Sequence, residues 1–163
     1  MEAPVDAPQI DFGSLKRNNW SEQEAKNVEL LSRFVQTLMN DHDFDVVLQE
    51  FGNEAYRQHN RGIPDGLAAL VGYVKDFAKR FPEYSYDVKQ IFADGDFVIF
   101  HSHITTSVKG RGNDRKGINV IDTWKVVDGQ IVEHWDALQA LDGFMRFYFW
   151  MSGGKIANTN GVF

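Results

Sequence analysis

His134-Trp135-Asp136 is the stretch of this chain best suited to moving a proton. It follows an Asp128-Gly129 turn and reads as a strand. Side chains alternate across a strand, so His134 and Asp136 share one face and Trp135 takes the other. An imidazole beside a carboxylate is a pair that can serve general acid–base catalysis. Asp122 falls in the middle of the preceding strand, where Asp is disfavoured, which marks either function or a required hydrogen bond. Four of the five histidines lie in or beside expected strands: His59, His101, His103 and His134. His101 and His103 stand at i and i+2, on one face with Phe97 and Ile99. The plain alternative is that Asp122, His134 and Asp136 form a buried, satisfied network that fixes sheet register.

Which of these groups meet depends on the turn. A two-residue loop at Asp128-Gly129 places Thr123 opposite His134 and Asp122 on the other sheet face. A type I turn with Gly129 as a bulge closes on Val126 and Gln130 instead. Counting back then pairs Asp122 with His134 and Val120 with Asp136. That register gathers Val120, Asp122, Trp124, Val126, Val132, His134, Asp136 and Leu138 on one face, and is the register expected. A carboxylate lined by rings loses solvation, which favours its protonated form, and a neighbouring imidazolium opposes this.

The 163 residues suit one domain with a sizeable core. A 43% hydrophobic share indicates a globular chain, and 13% aromatic residues suggest a large core or a ring-walled pocket. A net charge of -6 is not the basic footprint of a nucleic-acid binder. The absence of cysteine excludes disulfides, thiol catalysis and Cys-based zinc sites. There is no G-x-S-x-G, phosphate loop or HExxH, so covalent catalysis has no support. Three histidines and a carboxylate could converge on a metal, but His-x-His alone is a weak ligand signal, and a metal protein is the minor reading. Residues 1–19 are polar, without the apolar core of a signal peptide, and no membrane span is seen; a cytoplasmic protein is the expectation.

Three helices should come first. Residues 1–19, holding two of the four prolines, read as a loose arm. Ser21-x-x-Glu24 is a capping box for a helix from Glu22 to Met39. A second runs from Phe44 to Glu50, capped by Asp43. Ala55 to Asn60 reads as a short strand or a strand end leading into a loop, and Pro64 as the first position of a third helix that Pro82 stops. Strands follow over Tyr84–Phe92, Phe97–Val108 and Ile118–Val127, and then the opening stretch. Helices followed by an antiparallel meander argue for an α+β fold with helices on one side of a curved sheet. The Lys109–Gly117 loop, with its four basic residues, reads as a solvated hairpin tip. The aromatic run from Phe144 to Met151 should bury itself in the core or against a second subunit.

Tyr56-Arg57-Gln58-His59-Asn60, then Pro64-Asp65-Gly66, then a meander ending in Val127-Asp128-Gly129-Gln130-Ile131-Val132-Glu133-His134-Trp135-Asp136, resembles the SnoaL-like, polyketide cyclase-like branch of the NTF2-like superfamily. The resemblance spans roughly Glu22 to Leu138. One departure is Arg61, where the motif usually has proline. The resemblance implies a cone-shaped α+β barrel, its curved antiparallel sheet and N-terminal helices enclosing an apolar pocket. It implies a domain over 20–141, with the arm before it and an aromatic extension over 142–163. It also implies a homodimer through the sheet.

Members of this branch run intramolecular aldol condensations without metal or cofactor, using an Asp on the last strand. The matching position is Asp136. With it, His134 and His103 would orient groups or stabilise an oxyanion, and Asp122 would fix the His tautomer. Substrate contacts are expected from Tyr56, Gln58, His59, Asn60, His101 and Trp124. The reading is a cofactor-free enzyme that moves a proton next to a carbonyl of a small hydrophobic molecule, by aldol cyclisation, isomerisation or dehydration. The competing reading is a non-catalytic module that binds a hydrophobic ligand or a protein.

Overall fold

The computed structural model describes residues 4, 6–52, 55–143, 147 and 151. Ser21 opens the long α2 (Glu22–Val35) with the expected capping box: its hydroxyl accepts from Glu24 N, and its own N–H donates to Glu24 Oε2 at 2.7 Å. Val28, Leu31, Phe34 and Val35 form its buried stripe. The α-helix ends four residues before Met39, because Gln36–Asn40 widen into a π turn. That turn aims Asn40 at a strand edge. The Asn40 amide donates to Tyr86 O and accepts from Tyr86 N, both at 2.8 Å, and so imitates a neighbouring strand. It covers part of a sheet edge.

After α3 (Phe44–Phe51) comes β1 (Arg57–Gln58), then α4 (Leu67–Arg80). Pro64 is not the first turn of α4, as its sequence suggests. The loop is held by Tyr56 O accepting from Gly66 N at 2.8 Å, and by Asp65 Oδ1 accepting from Gln58 N at 2.8 Å. Gly66, at φ 93°, makes the entry turn that follows. The meander is β2 (Ser85–Asp94), β3 (Phe97–Thr105), β4 (Ile118–Val127) and β5 (Gln130–Ala140). The sheet is open, not closed, with strand order β1-β5-β4-β3-β2; β1 pairs with β5 in parallel and all other pairs are antiparallel. Helices before a curved, open antiparallel meander give the expected α+β architecture.

Register and parity then divide the sheet. Val98, Phe100, Val120, Trp124 and Val126 face the helices and join their core. The other face carries Phe97, Ile99, His101, Ile121 and Thr123, aligned through the β3–β4 pairing. The expected register of the last hairpin is corrected. Asp128 and Gly129 both have positive φ, 50° and 74°, so they form a two-residue turn closing on Val127 and Gln130. Alone, that turn would send Asp122 and His134 to opposite faces. One extra residue restores the parity: Val126 pairs with Ile131 but Lys125 pairs with Glu133, leaving Val132 as a bulge. The observed partners are therefore Asp122 with Asp136 and Trp124 with His134.

The segment expected as a loose arm carries α1 (Phe12–Leu15) and is tied to the fold. Ile10 N donates to Gln36 Oε1 at 3.0 Å; Arg17 Nε donates to Ile91 O at 2.9 Å and its guanidinium lies over the Phe92 ring. One helical turn is too short to leave a periodic pattern in the sequence. The aromatic extension lies outside the described residues apart from Asp142, Gly143, Phe147 and Met151. Among the described residues no helix is long and apolar enough to cross a membrane.

Gly117, just before β4, has φ +79°, and a Cβ there would lie 2.0 Å from Ile104 O. Gly117→Ala is expected to destabilise the fold by about 2–4 kcal/mol, from left-handed strain plus a backbone clash. Urea unfolding checks this; an unchanged midpoint contradicts it.

Candidate acid–base site on the inner face of the sheet

Asp122 is only 5% exposed, in the middle of β4. A carboxylate so placed has to be met by donors. His134 Nε2 lies 2.9 Å from Asp122 Oδ1, reaching diagonally across from β5, and the Tyr86 hydroxyl of β2 donates to Oδ2. Burial, then the negative charge of Asp122 and the bond to it, push the Tyr86 phenol pKa well up, so it stays a donor.

His134 is equally buried, and its ring stacks on Trp124, its cross-strand neighbour, at 5.1 Å and 21°. Nδ1 is met by Gln58 of β1, with the amide nitrogen at 3.0 Å and the amide oxygen at 3.1 Å. Both ring nitrogens are thus occupied by protein. β1 is held against β5 by His59 N donating to His134 O at 2.9 Å. Strand pairing, and not side-chain reach alone, delivers Gln58.

Asp136 stands directly opposite Asp122 and is partly exposed. One of its oxygens, Oδ2, accepts from Asn60 Nδ2 at 2.6 Å. Two residues on, Leu138 is 54% exposed although its strand parity is inward. Among the described residues of the cluster, Asp136 is the one with exposed surface, at this end of the inner face. Asp122, His134 and Asp136 each offer an oxygen or nitrogen within 4.8 Å of the others, a constellation able to hold a metal ion. A metal bound by all three would compete with the His134–Asp122 bond.

Tyr56 completes the inner wall at 1% exposure. Burial, and then the Asp122 and Asp136 charges, raise its phenol pKa, while the Trp124 indole N–H opposes the rise. Neither the Tyr56 hydroxyl nor Trp124 Nε1 completes a hydrogen bond of normal geometry. Two buried donors without an acceptor beside two carboxylates are a place where a ligand oxygen could be received.

Of the residues expected at a site, the fold gathers Asp122, His134, Asp136, Tyr56, Gln58, Asn60 and Trp124. Three histidines do not join them. His59 stacks on Trp135 at 4.5 Å and meets Glu133 Oε2 at 3.2 Å, beside the outward-facing side chains. His101 meets Asn119 Oδ1 at 2.8 Å and His103 meets Lys116 O at 2.7 Å; their parity matches Phe97, away from the Asp122 face. Roles for His103 in orientation and for His59 and His101 in substrate contact lose their geometric basis. Tyr86 and Asp65 had not been expected. Asp65 sits in the Pro64-Asp65-Gly66 motif, but nothing in the sequence singles out Tyr86. Two clefts, of about 270 Å³ along Asp41–Asp45 with Lys75, and about 230 Å³ along Lys89, His103, Gly112 and Asp114, lie away from the carboxylates.

No curated protein matches the chain in sequence. Among solved structures it resembles a candidate polyketide cyclase from Bacillus cereus ATCC 10987, at 24% identity and TM-score 0.60, over 76% of this chain and 81% of that one. It also resembles AclR, a candidate hydroxylase from Streptomyces galilaeus, at 21% identity and TM-score 0.58, over 80% and 97%. A candidate ketosteroid isomerase from Kribbella flavida DSM 17836 aligns at 16% identity and TM-score 0.58, over 74% and 83%. At such identities the likeness is one of fold. The family model for the SnoaL-like domain matches residues 31–134, more than half of the sequence, and so the chain belongs to the SnoaL-like family.

Proposed function

We propose that this protein is an enzyme that moves a proton next to a carbonyl group of a small hydrophobic molecule, with Asp136 as the acid–base residue and no cofactor. The observation that carries this reading is the division of labour among three close groups. Asp122 and His134 have their hydrogen-bonding atoms engaged within the protein, while Asp136 is held by Asn60 at one oxygen and is partly exposed. In this mechanism Asp136 takes a proton from the carbon beside the carbonyl. The C–H electron pair moves through that carbon to the carbonyl oxygen, giving an enolate. The Tyr56 O–H and Trp124 N–H, neither of which completes a hydrogen bond of normal geometry in the resting protein, receive that oxygen.

From the enolate three outcomes share the same first step. Asp136 returns the proton to a different carbon, which is isomerisation. The enolate carbon attacks a second carbonyl in the same molecule, which is aldol cyclisation, as in a polyketide-like chain. Or the enolate electron pair forms a C=C bond as the β C–O bond breaks, with Asp136 giving its proton to the departing hydroxyl so that it leaves as water, which is dehydration.

Exchange of carbonyl α-protons with deuterated water, followed by NMR over a panel of hydrophobic ketones, tests the reading. Exchange is expected for at least one compound and should fall by about 10²-fold or more in Asp136→Asn. Exchange unaffected by that change contradicts the role of Asp136. No exchange across the panel, with ligands still bound, favours a non-catalytic binding module.

Tyr56→Phe separates chemistry from structure. Its hydroxyl completes no hydrogen bond of normal geometry, so stability is expected to change by less than about 1 kcal/mol. Exchange should nonetheless fall by about 10–10²-fold. Loss of stability with unchanged exchange contradicts the proposed oxyanion role.

The same reading includes a homodimer through the outer sheet face, where Phe92, Phe97 and Ile121 are 41%, 42% and 37% exposed. Sedimentation should show a dimer in the native protein and a monomer in Ile121→Asp. A native monomer at high concentration contradicts it.

A further inference from the structure

We propose that His42 is an acid-operated latch: its neutral ring holds the π turn and α3 against the sheet, and a proton on that ring turns it out into the neighbouring cleft. The inference is independent of the acid–base reading of the inner face.

Asp41-His42-Asp43 joins the π turn to α3. The chain reverses tightly there, with Asp41 N donating to Gln36 O at 2.9 Å and Asp43 N to Thr37 O at 3.1 Å. His42, between them, sits at φ 54°, a left-handed conformation uncommon outside glycine. Its side chain is nonetheless 1% exposed. The ring stacks on Phe44 at 5.9 Å and on Tyr84 at 5.8 Å, both at 10° between planes. Neither ring nitrogen completes a hydrogen bond of normal geometry. The imidazole thus serves as an apolar plate, which only its neutral form can do without loss. Burial accordingly holds its pKa below the usual histidine value.

Among the described residues, the charged groups that share a cleft with this ring are Asp41 from its own turn, Asp43 and Asp45 of α3, and Lys75 of α4. Tyr84, just before β2, is neutral: burial pushes its phenol up, and its hydroxyl donates to Met39 Sδ at 3.0 Å. The two ring faces attract a cation, but Phe44 already faces Lys75 Nζ at 5.8 Å, and burial is the larger effect. Inside the stack an imidazolium would hold two N–H groups without a well-placed acceptor. In the cleft, of about 270 Å³, it would meet three carboxylates against one ammonium. The turn that His42 closes also carries Asn40, whose amide is bonded to Tyr86 N and O. Release of the ring therefore loosens the turn's hold on β2.

The folded ring takes its proton at lower pH than the ring in the unfolded chain. Stability from His42 is therefore fully present above about pH 6.5 and is lost as pH falls through the folded value. NMR titration of the full chain tests the latch. At neutral pH the His42 ring protons should be displaced by the Phe44 and Tyr84 ring currents. On acidification they should move to free-histidine positions while the Val28 and Leu31 methyls keep their native shifts. The Tyr86 N–H should then exchange about tenfold faster. Ring shifts that persist until Val28 and Leu31 also lose theirs overturn the proposal. So does a His42 that titrates at or above the usual value, or a Tyr86 N–H that stays protected after the ring has moved. Urea unfolding from about pH 7.5 to about 4.5 supplies the second arm. His42→Phe keeps a ring and His42→Asn tolerates the left-handed backbone; neither takes a proton, and whichever folds serves as reference. The native unfolding constant, relative to that reference, should rise by up to about tenfold per pH unit below about 6.5. A ratio that does not change with pH overturns the latch.

Discussion

A carboxylate set in the middle of a buried strand must be answered by donors, and Asp122 is answered twice, by His134 and by Tyr86. Removing either donor would leave a buried carboxylate oxygen unpaired, at a cost of about 1–3 kcal/mol. The pair therefore constrains more than its own geometry. It joins β2, β4 and β5 on the inner face, and through Gln58 it ties the edge strand β1 to the same point. Four of the five strands meet at one hydrogen-bonded chain: Tyr86, Asp122, His134, Gln58.

That chain exists only because of a parity correction. The two-residue turn at Asp128-Gly129, left to itself, would place His134 on the outer face with Trp135 inward. The bulge at Val132 shifts the count by one, and His134 and Asp136 return to the helix-packed side. Asp136 then meets Asp122 across the ladder, close enough for the two carboxylates to share the influence of one imidazole. One extra residue thus decides whether His134 and Asp136 join Asp122 or lie together on the opposite face. The same parity sends His101 and His103 outward, although both are histidines on a neighbouring strand.

The order of elements was legible because helical periodicity, the Ser21 capping box and the Asp-Gly turns are local signals. The shared face of Asp122, His134 and Asp136 was expected from a bulge placed at Gly129; the face is the expected one, but the extra residue is Val132, inside the strand. Their cross-strand partners were not legible, since a bulge inside an apolar run such as Ile131-Val132 leaves no trace in composition. Tyr86 was invisible as a site residue. Its importance comes from reaching across β3 to Asp122, a contact set by long-range register. The histidines misled because residue type suggested chemistry, while strand parity gave His101 and His103 backbone and amide partners on the other face.

With Asp136 as the proposed acid–base residue, substrate would meet it on the inner face, with its oxygen toward Tyr56 and Trp124. A crystal structure of the protein with a bound phenol, whose oxygen on a flat carbon frame imitates an enolate, tests it most directly. The phenol oxygen is expected within hydrogen-bond distance of the Tyr56 hydroxyl and Trp124 Nε1, with its ring carbons against Asp136. A phenol seated in the cleft along Asp41–Asp45, or on the outer face beside His101, with the inner face unvisited, would contradict it.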